Sequence, residues 1–224
     1  MNRRPATIVT VAVLLAMGVL SWWAAPRLPE QVPVHWNFSG EPDRYGSVAE
    51  ALLTPPLIVV ALSVLLWFVP NLDPRGEHIR RSARAYNALW IAVVLLMLVV
   101  HATTVLGAAT SADIPVVSIV PAALGLFFIV FGVYLPKTSS NWFIGIRTPW
   151  TLTSELAWRR THLLGGILFV VLGAMLIAVG LFAEGAAAVL AGAGAMVIAV
   201  VTMAYSYMVW RGDPARRASD PASS

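Results

Sequence analysis

Six stretches of this chain contain no Asp, Glu, Lys or Arg: residues 5–26, 51–72, 85–112, 114–136, 161–183 and 185–210. Each is at least 22 residues long. A helix needs about 20 apolar residues to cross a bilayer core. Each stretch therefore accommodates one transmembrane helix. A soluble helical core can mimic one such stretch but hardly six. The second is the weakest, because Pro55, Pro56 and Pro70 bracket a short apolar run. It spans only if near-vertical or if it borrows residues 51–54. The first is too long, and too rich in tryptophan at its end, for a cleaved signal peptide. It reads as an uncleaved anchor.

Composition agrees. The 224 residues are 58% hydrophobic and only 12% charged, whereas a soluble domain carries about 25% charged residues. That excludes a disordered chain, a nucleic-acid-binding domain and most soluble enzymes. The absence of cysteine excludes disulfides, thiolate nucleophiles and Cys-bound zinc. The net charge of +4 is first a topology signal. Thirteen of the 15 basic residues flank alternate ends of the uncharged stretches, leaving Arg27 and Arg44 on the other side. The positive-inside rule then predicts both termini in the cytoplasm. The expected fold is an all-α polytopic membrane protein with six transmembrane helices, N-in and C-in, and a small structured extracytoplasmic loop.

Two connecting segments are more than linkers. In residues 27–54, Val32, Val34, Trp36 and Phe38 alternate with polar or turn residues, the period of a half-buried strand. Residues 39–43 are turn chemistry, which Tyr45 and Gly46 extend. Ser47 followed by Glu50 fits a capping box, and Thr54 before Pro55 fits the start of the second spanning helix. Residues 136–160 carry Trp142, Phe143, Ile144, Ile146, Trp150 and Trp158, too apolar for a solvated loop. Thr153 fits an N-cap with Glu155 in the first turn. This segment is expected along the inner interface, lining a pocket under the bundle. Residues 71–86 read as a basic connector that orientation alone explains.

At these two segments the chain resembles a known family. NWFIGIRTPWTLTSELAWRRTHLLGG, residues 141–166, is similar to the signature of the sporulation-delaying-protein immunity family, the SdpI-type membrane proteins. LPEQVPVHWNFSGEPDRYGS, residues 28–47, resembles an unassigned domain that usually precedes it. The resemblance implies a bacterial cell-membrane immunity and receptor protein. Such a protein protects against a secreted antimicrobial toxin or peptide and signals by sequestering a small cytoplasmic transcriptional repressor.

The candidate chemistry is sparse. His35, Asn37, Gly40 and Asp43 are binding candidates in the outer loop. His35 and Asp43 come nearest to a metal site, but one histidine without fixed ligand spacing leads to none being expected. In the inner motif the candidates are Asn141, Gly145, Arg147, Thr148, Pro149, Trp150, Trp158, Thr161 and His162. Gly145 permits an unusual backbone angle, and Thr148 before Pro149 enforces an extended one. The loop then holds Arg147 in a fixed pose, suited to a phosphate or carboxylate. An alternative reading is a membrane enzyme or lipid-handling protein, with Arg147 binding phosphate and His162 acting as acid or base. No nucleophile and orienting partner group around His162, so no catalytic residue and no cofactor is expected. His101 falls inside a spanning stretch, where a neutral imidazole needs a partner. Gly166, Gly173 and Gly180, seven residues apart, suit close helix packing within the chain or in a homo-oligomer.

The expected organisation is an N-terminal two-helix unit (1–72), a four-helix unit (85–210) with the inner motif (136–162), and a disordered cytoplasmic tail (211–224). Membrane lipids, an outside toxin and an inside repressor are the expected partners, with no direct nucleic-acid contact.

Overall fold

The computed structural model describes residues 1–37, 41–110, 114–182 and 187–215. Its elements are α1 (Arg4–Ala24), the strands β1 (Gln31–Trp36) and β2 (Pro42–Ser47), α2 (Val48–Leu72), α3 (Gly76–Arg81), α4 (Ala83–Thr110), α5 (Val116–Tyr134), α6 (Pro149–Thr153), α7 (Glu155–Phe182) and α8 (Ala187–Arg211). Among the described residues six helices, α1, α2, α4, α5, α7 and α8, are long and apolar enough to cross a membrane. The protein is an all-α, multi-pass membrane protein. Alternate spans run in opposite directions, so one end of the bundle carries the hairpin of β1 and β2. The other end carries residues 136–162.

The weak second stretch becomes a helix by growing at its start. Ser47 caps α2, its hydroxyl accepting the Glu50 N–H at 3.2 Å. The Glu50 carboxylate pairs instead with Arg44 at 2.6 Å, so only half of the expected capping box forms. The helix does not restart at Thr54 as expected: Pro55 and Pro56 sit inside one continuous 25-residue helix. Their rings remove two N–H donors, and length gained from residues 48–54 restores the span. Tyr45 and Gly46 belong to β2 rather than to the turn, with Val32 opposite Gly46 and Gln31 opposite Ser47. Phe38 and Gly40 lie outside the described residues.

Two buried clusters hold the helices together, and α4 packs against α1 and α2 on one side and α5 on the other. Met17 of α1, Val59 and Val69 of α2, and Tyr86, Trp90 and Val94 of α4 share one cluster. Leu172 and Leu176 of α7 share another with Ile198 of α8, and with Leu124 and Phe128 of α5 packed against it. α4 is apolar on all sides, so sequence periodicity does not say which neighbour it serves.

In lipid there is little hydrophobic drive between helices, and close dispersion contact takes over. α5 and α7 show the device. A Cβ on Gly132 would strike the Gly166 carbonyl oxygen, and one on Gly125 the Gly173 carbonyl oxygen. The reciprocal overlaps hold as well. The seven-residue glycine repeat of α7 thus meets a seven-residue glycine repeat of α5, backbone on backbone.

Within the tail expected to be disordered, residues 211–215 are placed against the bundle. Asp213 is buried and accepts the Ser154 hydroxyl at 2.5 Å, which anchors the chain just beyond α8. Residues 216–224 lie outside the described residues.

Candidate functional site

The motif is organised by its own small polar residues. Buried Asn141 uses both ends of its amide on its own loop. Its Oδ1 accepts the N–H groups of Phe143 (2.9 Å) and Ile144 (2.7 Å). Its Nδ2 donates to the carbonyls of Ser139 (2.9 Å) and Ile144 (3.0 Å). Gly145 follows with φ +116°, a left-handed angle that costs a side chain strain. A Cβ there would also overlap the His162 ring. Two independent constraints therefore require glycine.

His162 lies fully buried beneath this turn. Its Nε2 accepts the Ile146 N–H at 3.1 Å. Its Nδ1 faces the Trp158 carbonyl at 2.7 Å, which can only accept. These partners fix the neutral ring with its hydrogen on Nδ1. The ring stacks on Trp158, with centroids 3.9 Å apart, and the Trp158 indole N–H donates to the Thr138 carbonyl at 2.9 Å. Both nitrogens are thus engaged, Nε2 by the loop and Nδ1 by the backbone of α7, which leaves neither for proton transfer.

Thr148 and Thr151 form a reciprocal capping box that starts α6 at Pro149. The Thr148 hydroxyl also meets Ser206 of α8 at 3.0 Å. The cap of α7 is Ser154, whose hydroxyl accepts the Ala157 N–H at 3.0 Å. Thr153, the expected cap, instead donates to the Pro149 carbonyl at 2.7 Å. Arg147 is exposed and donates to the Trp142 carbonyl at 2.6 Å. Trp150 packs edge-on against Tyr207 of α8. Thr161 is fully buried, and its hydroxyl has no hydrogen-bond partner among the described residues.

The expected pocket under the motif is nearly filled. The cavity beside Asn141, lined also by Ile79, Ser82, Tyr86, Thr138 and Ile144, measures about 10 Å³, the room of a single water. The reason is the segment read as a mere connector. Asp73, buried just after α2, accepts the N–H of Arg75 (2.6 Å) and of Trp142 (2.8 Å). Arg75 donates to the Ser140 hydroxyl (2.5 Å) and the Leu152 carbonyl (2.9 Å), and lies 6.0 Å over the Trp142 ring. His78 reaches the Ser140 carbonyl at 2.7 Å. Ser82 accepts the Ser139 N–H at 3.0 Å. Residues 73–82 thus form a latch over the motif. The one sequence signal was Asp73 itself, a carboxylate ending an uncharged stretch amid arginines.

At the other end, His35 and Asp43 pair at 2.5 Å across the hairpin, both exposed. The Asn37 Oδ1 accepts the Glu41 N–H at 3.0 Å. These residues shape the loop, and among the described residues no three His, Asp or Glu side chains group as metal ligands. Buried His101 sits 3.1 Å from the Ser21 hydroxyl, which also donates to the Leu52 carbonyl at 3.4 Å. That contact ties α1, α2 and α4 together near the hairpin.

Residues 137–206 match the SdpI/YfhL protein family. Over this segment the chain is similar to SdpI-type proteins. Residues 12–60 match a domain of unknown function, DUF1648, which takes in most of α1, the hairpin and the first half of α2. The chain is 25% identical over 178 residues to Immunity protein SdpI of Bacillus subtilis (strain 168), covering 78% of this chain and 81% of that protein. An uncharacterized protein of Archaeoglobus fulgidus is 36% identical over 59 residues, 26% of this chain and 31% of that protein. No solved structure matches. Asn141, Gly145 and His162 lie inside the SdpI-type match, while the latch residues Asp73, Arg75 and His78 lie outside both matched segments.

Proposed function

We propose that this chain is a bacterial cell-membrane immunity protein that protects its host against a secreted antimicrobial toxin or peptide. In this reading both termini are cytoplasmic, following the division of basic residues. The hairpin then faces outward and meets the toxin. The SdpI-type motif faces inward and signals by engaging a small cytoplasmic repressor.

The observation that carries the reading is the course of α2. Its first residue follows Ser47 of β2, which caps it. Just past its last, Asp73 holds the backbone of Trp142. One unbroken helix joins the hairpin to the motif, so displacement at either end is felt at the other. Similarity to a named immunity protein over most of the chain supports the same role. The test is expression in a toxin-sensitive strain, scored for survival against an empty vector and an Asp73→Ala variant. Survival of the wild type alone supports the proposal, and no protection by wild type present in the membrane refutes it.

The enzymatic reading needs His162 free beside a ligand on Arg147. His162 is enclosed, with Nε2 bonded to the Ile146 N–H and Nδ1 to the Trp158 carbonyl of α7, and Arg147 turns to the Trp142 carbonyl. The geometry therefore favours the immunity reading.

A further inference from the structure

A groove of about 610 Å³ opens at the motif end of the bundle, away from the motif itself. Its walls include Asn2, Arg3, Arg4, Ile8 and Trp67. Trp67 holds Arg3 in place: the guanidinium lies 4.9 Å over the indole ring and donates to the Trp67 carbonyl at 2.7 Å. The Asn87 amide fixes the neighbouring backbone by donating to the Asn2 carbonyl at 2.8 Å. Three helices thus position one arginine. Arg3 has five N–H donors; among the described residues it uses one, and its Nε has no partner. The Arg4 side chain makes no hydrogen bond or ion pair among the described residues, and no acidic residue lies in the first turn of α1. Beside the two guanidinium groups, Ile8 and the Trp67 ring are exposed on helix faces that read as lipid-facing.

We propose that this groove binds one anionic phospholipid, its phosphate on Arg3 and Arg4 and its upper acyl chain along Ile8 and Trp67. Two arginines with unused donors match a phosphate diester, to which guanidinium groups donate in charge-assisted bonds. The aromatic and aliphatic wall matches the start of a hydrocarbon chain. A soluble phosphate would use the first feature and not the second. The position, at the end of two spanning helices, is the depth at which a headgroup sits. The site is independent of any toxin and would hold the α1–α2 seam at the end where Asp73 clamps the motif.

The test uses the full chain in detergent, with native mass spectrometry counting bound phosphatidylglycerol against phosphatidylcholine. The wild type is expected to retain phosphatidylglycerol preferentially. Arg3→Gln with Arg4→Gln is expected to weaken retention about tenfold or more, the worth of charge-assisted contacts. Arg4→Gln alone, which breaks no hydrogen bond or ion pair among the described residues, is expected to weaken it in the same direction and guards against misfolding of the double variant. Arg159→Gln with Arg160→Gln removes equal charge elsewhere at the same end and is expected to leave retention unchanged. Excess inorganic phosphate is expected not to displace the lipid. Equal loss in both double variants would reduce the site to diffuse attraction and overturn the proposal. So would unchanged retention without Arg3 and Arg4, or displacement by inorganic phosphate.

Discussion

The N–H of Trp142 donates to the Asp73 carboxylate at 2.8 Å, across 69 positions of sequence. The same carboxylate accepts the N–H of Arg75. An anion buried with donated hydrogen bonds is stable, but its removal strands those donors. Asp73→Ala is therefore expected to cost about 2–4 kcal/mol and to abolish protection. Asp73→Asn, which keeps one acceptor oxygen, is expected to cost less. Thermal unfolding of the purified protein checks the order, and wild-type stability in Asp73→Ala would remove the latch from the account.

Gly145 and His162 form a second pair. Gly145→Ala places a side chain at φ +116° and against the imidazole. The expected cost is about 1–3 kcal/mol for the backbone alone, with the overlap added. In a His162→Ala background the overlap disappears and only the backbone cost remains. A double-mutant cycle is thus expected to show clear non-additivity. Strict additivity would mean that the ring does not back the turn.

Along the α5–α7 seam, Gly132→Val and Gly173→Val each force two backbones apart. Overpacking of this kind costs about 1–3 kcal/mol, occasionally more. A Cβ on Gly192 of α8 would meet nothing within 4 Å, so Gly192→Val is expected to leave stability close to wild type. Equal losses at all three positions, measured by thermal melting, would contradict the seam.

Arg147 is exposed and Trp150 half-buried, and each contacts little beyond the motif and α8. Arg147→Ala and Trp150→Ala are expected to abolish protection without preventing insertion. Arg147→Ala should move stability by no more than about 1 kcal/mol, as exposed substitutions do. Survival counts with matched membrane levels decide it; full protection by both variants would remove these residues from the functional surface.

The spanning helices were legible because charge cannot enter lipid, so their stretches announce themselves in the sequence. The hairpin was legible from alternation at Val32, Val34 and Trp36. The start of α7 was misplaced by one residue because Thr153 and Ser154 can both cap, and only the fold shows that Ser154 also meets Asp213. The latch was invisible for a stronger reason. Asp73, Arg75 and His78 act on Ser140, Trp142 and Leu152, more than 60 positions away, and no local periodicity records such a pairing. Likewise the cluster that Tyr86, Trp90 and Val94 of α4 share with α1 and α2 depends on which side of a broadly apolar helix faces them.

In the proposed function α2 connects two faces of one membrane. The chain has no cysteine, so single cysteines report cleanly. Tyr45 of the hairpin and Phe143 of the motif are both exposed, at 53% and 37%. Labelling with a membrane-impermeant maleimide is expected to modify Tyr45→Cys in intact cells and Phe143→Cys only after permeabilisation. Labelling of both in intact cells, or the reverse pattern, would contradict transmission from an outer hairpin to an inner motif.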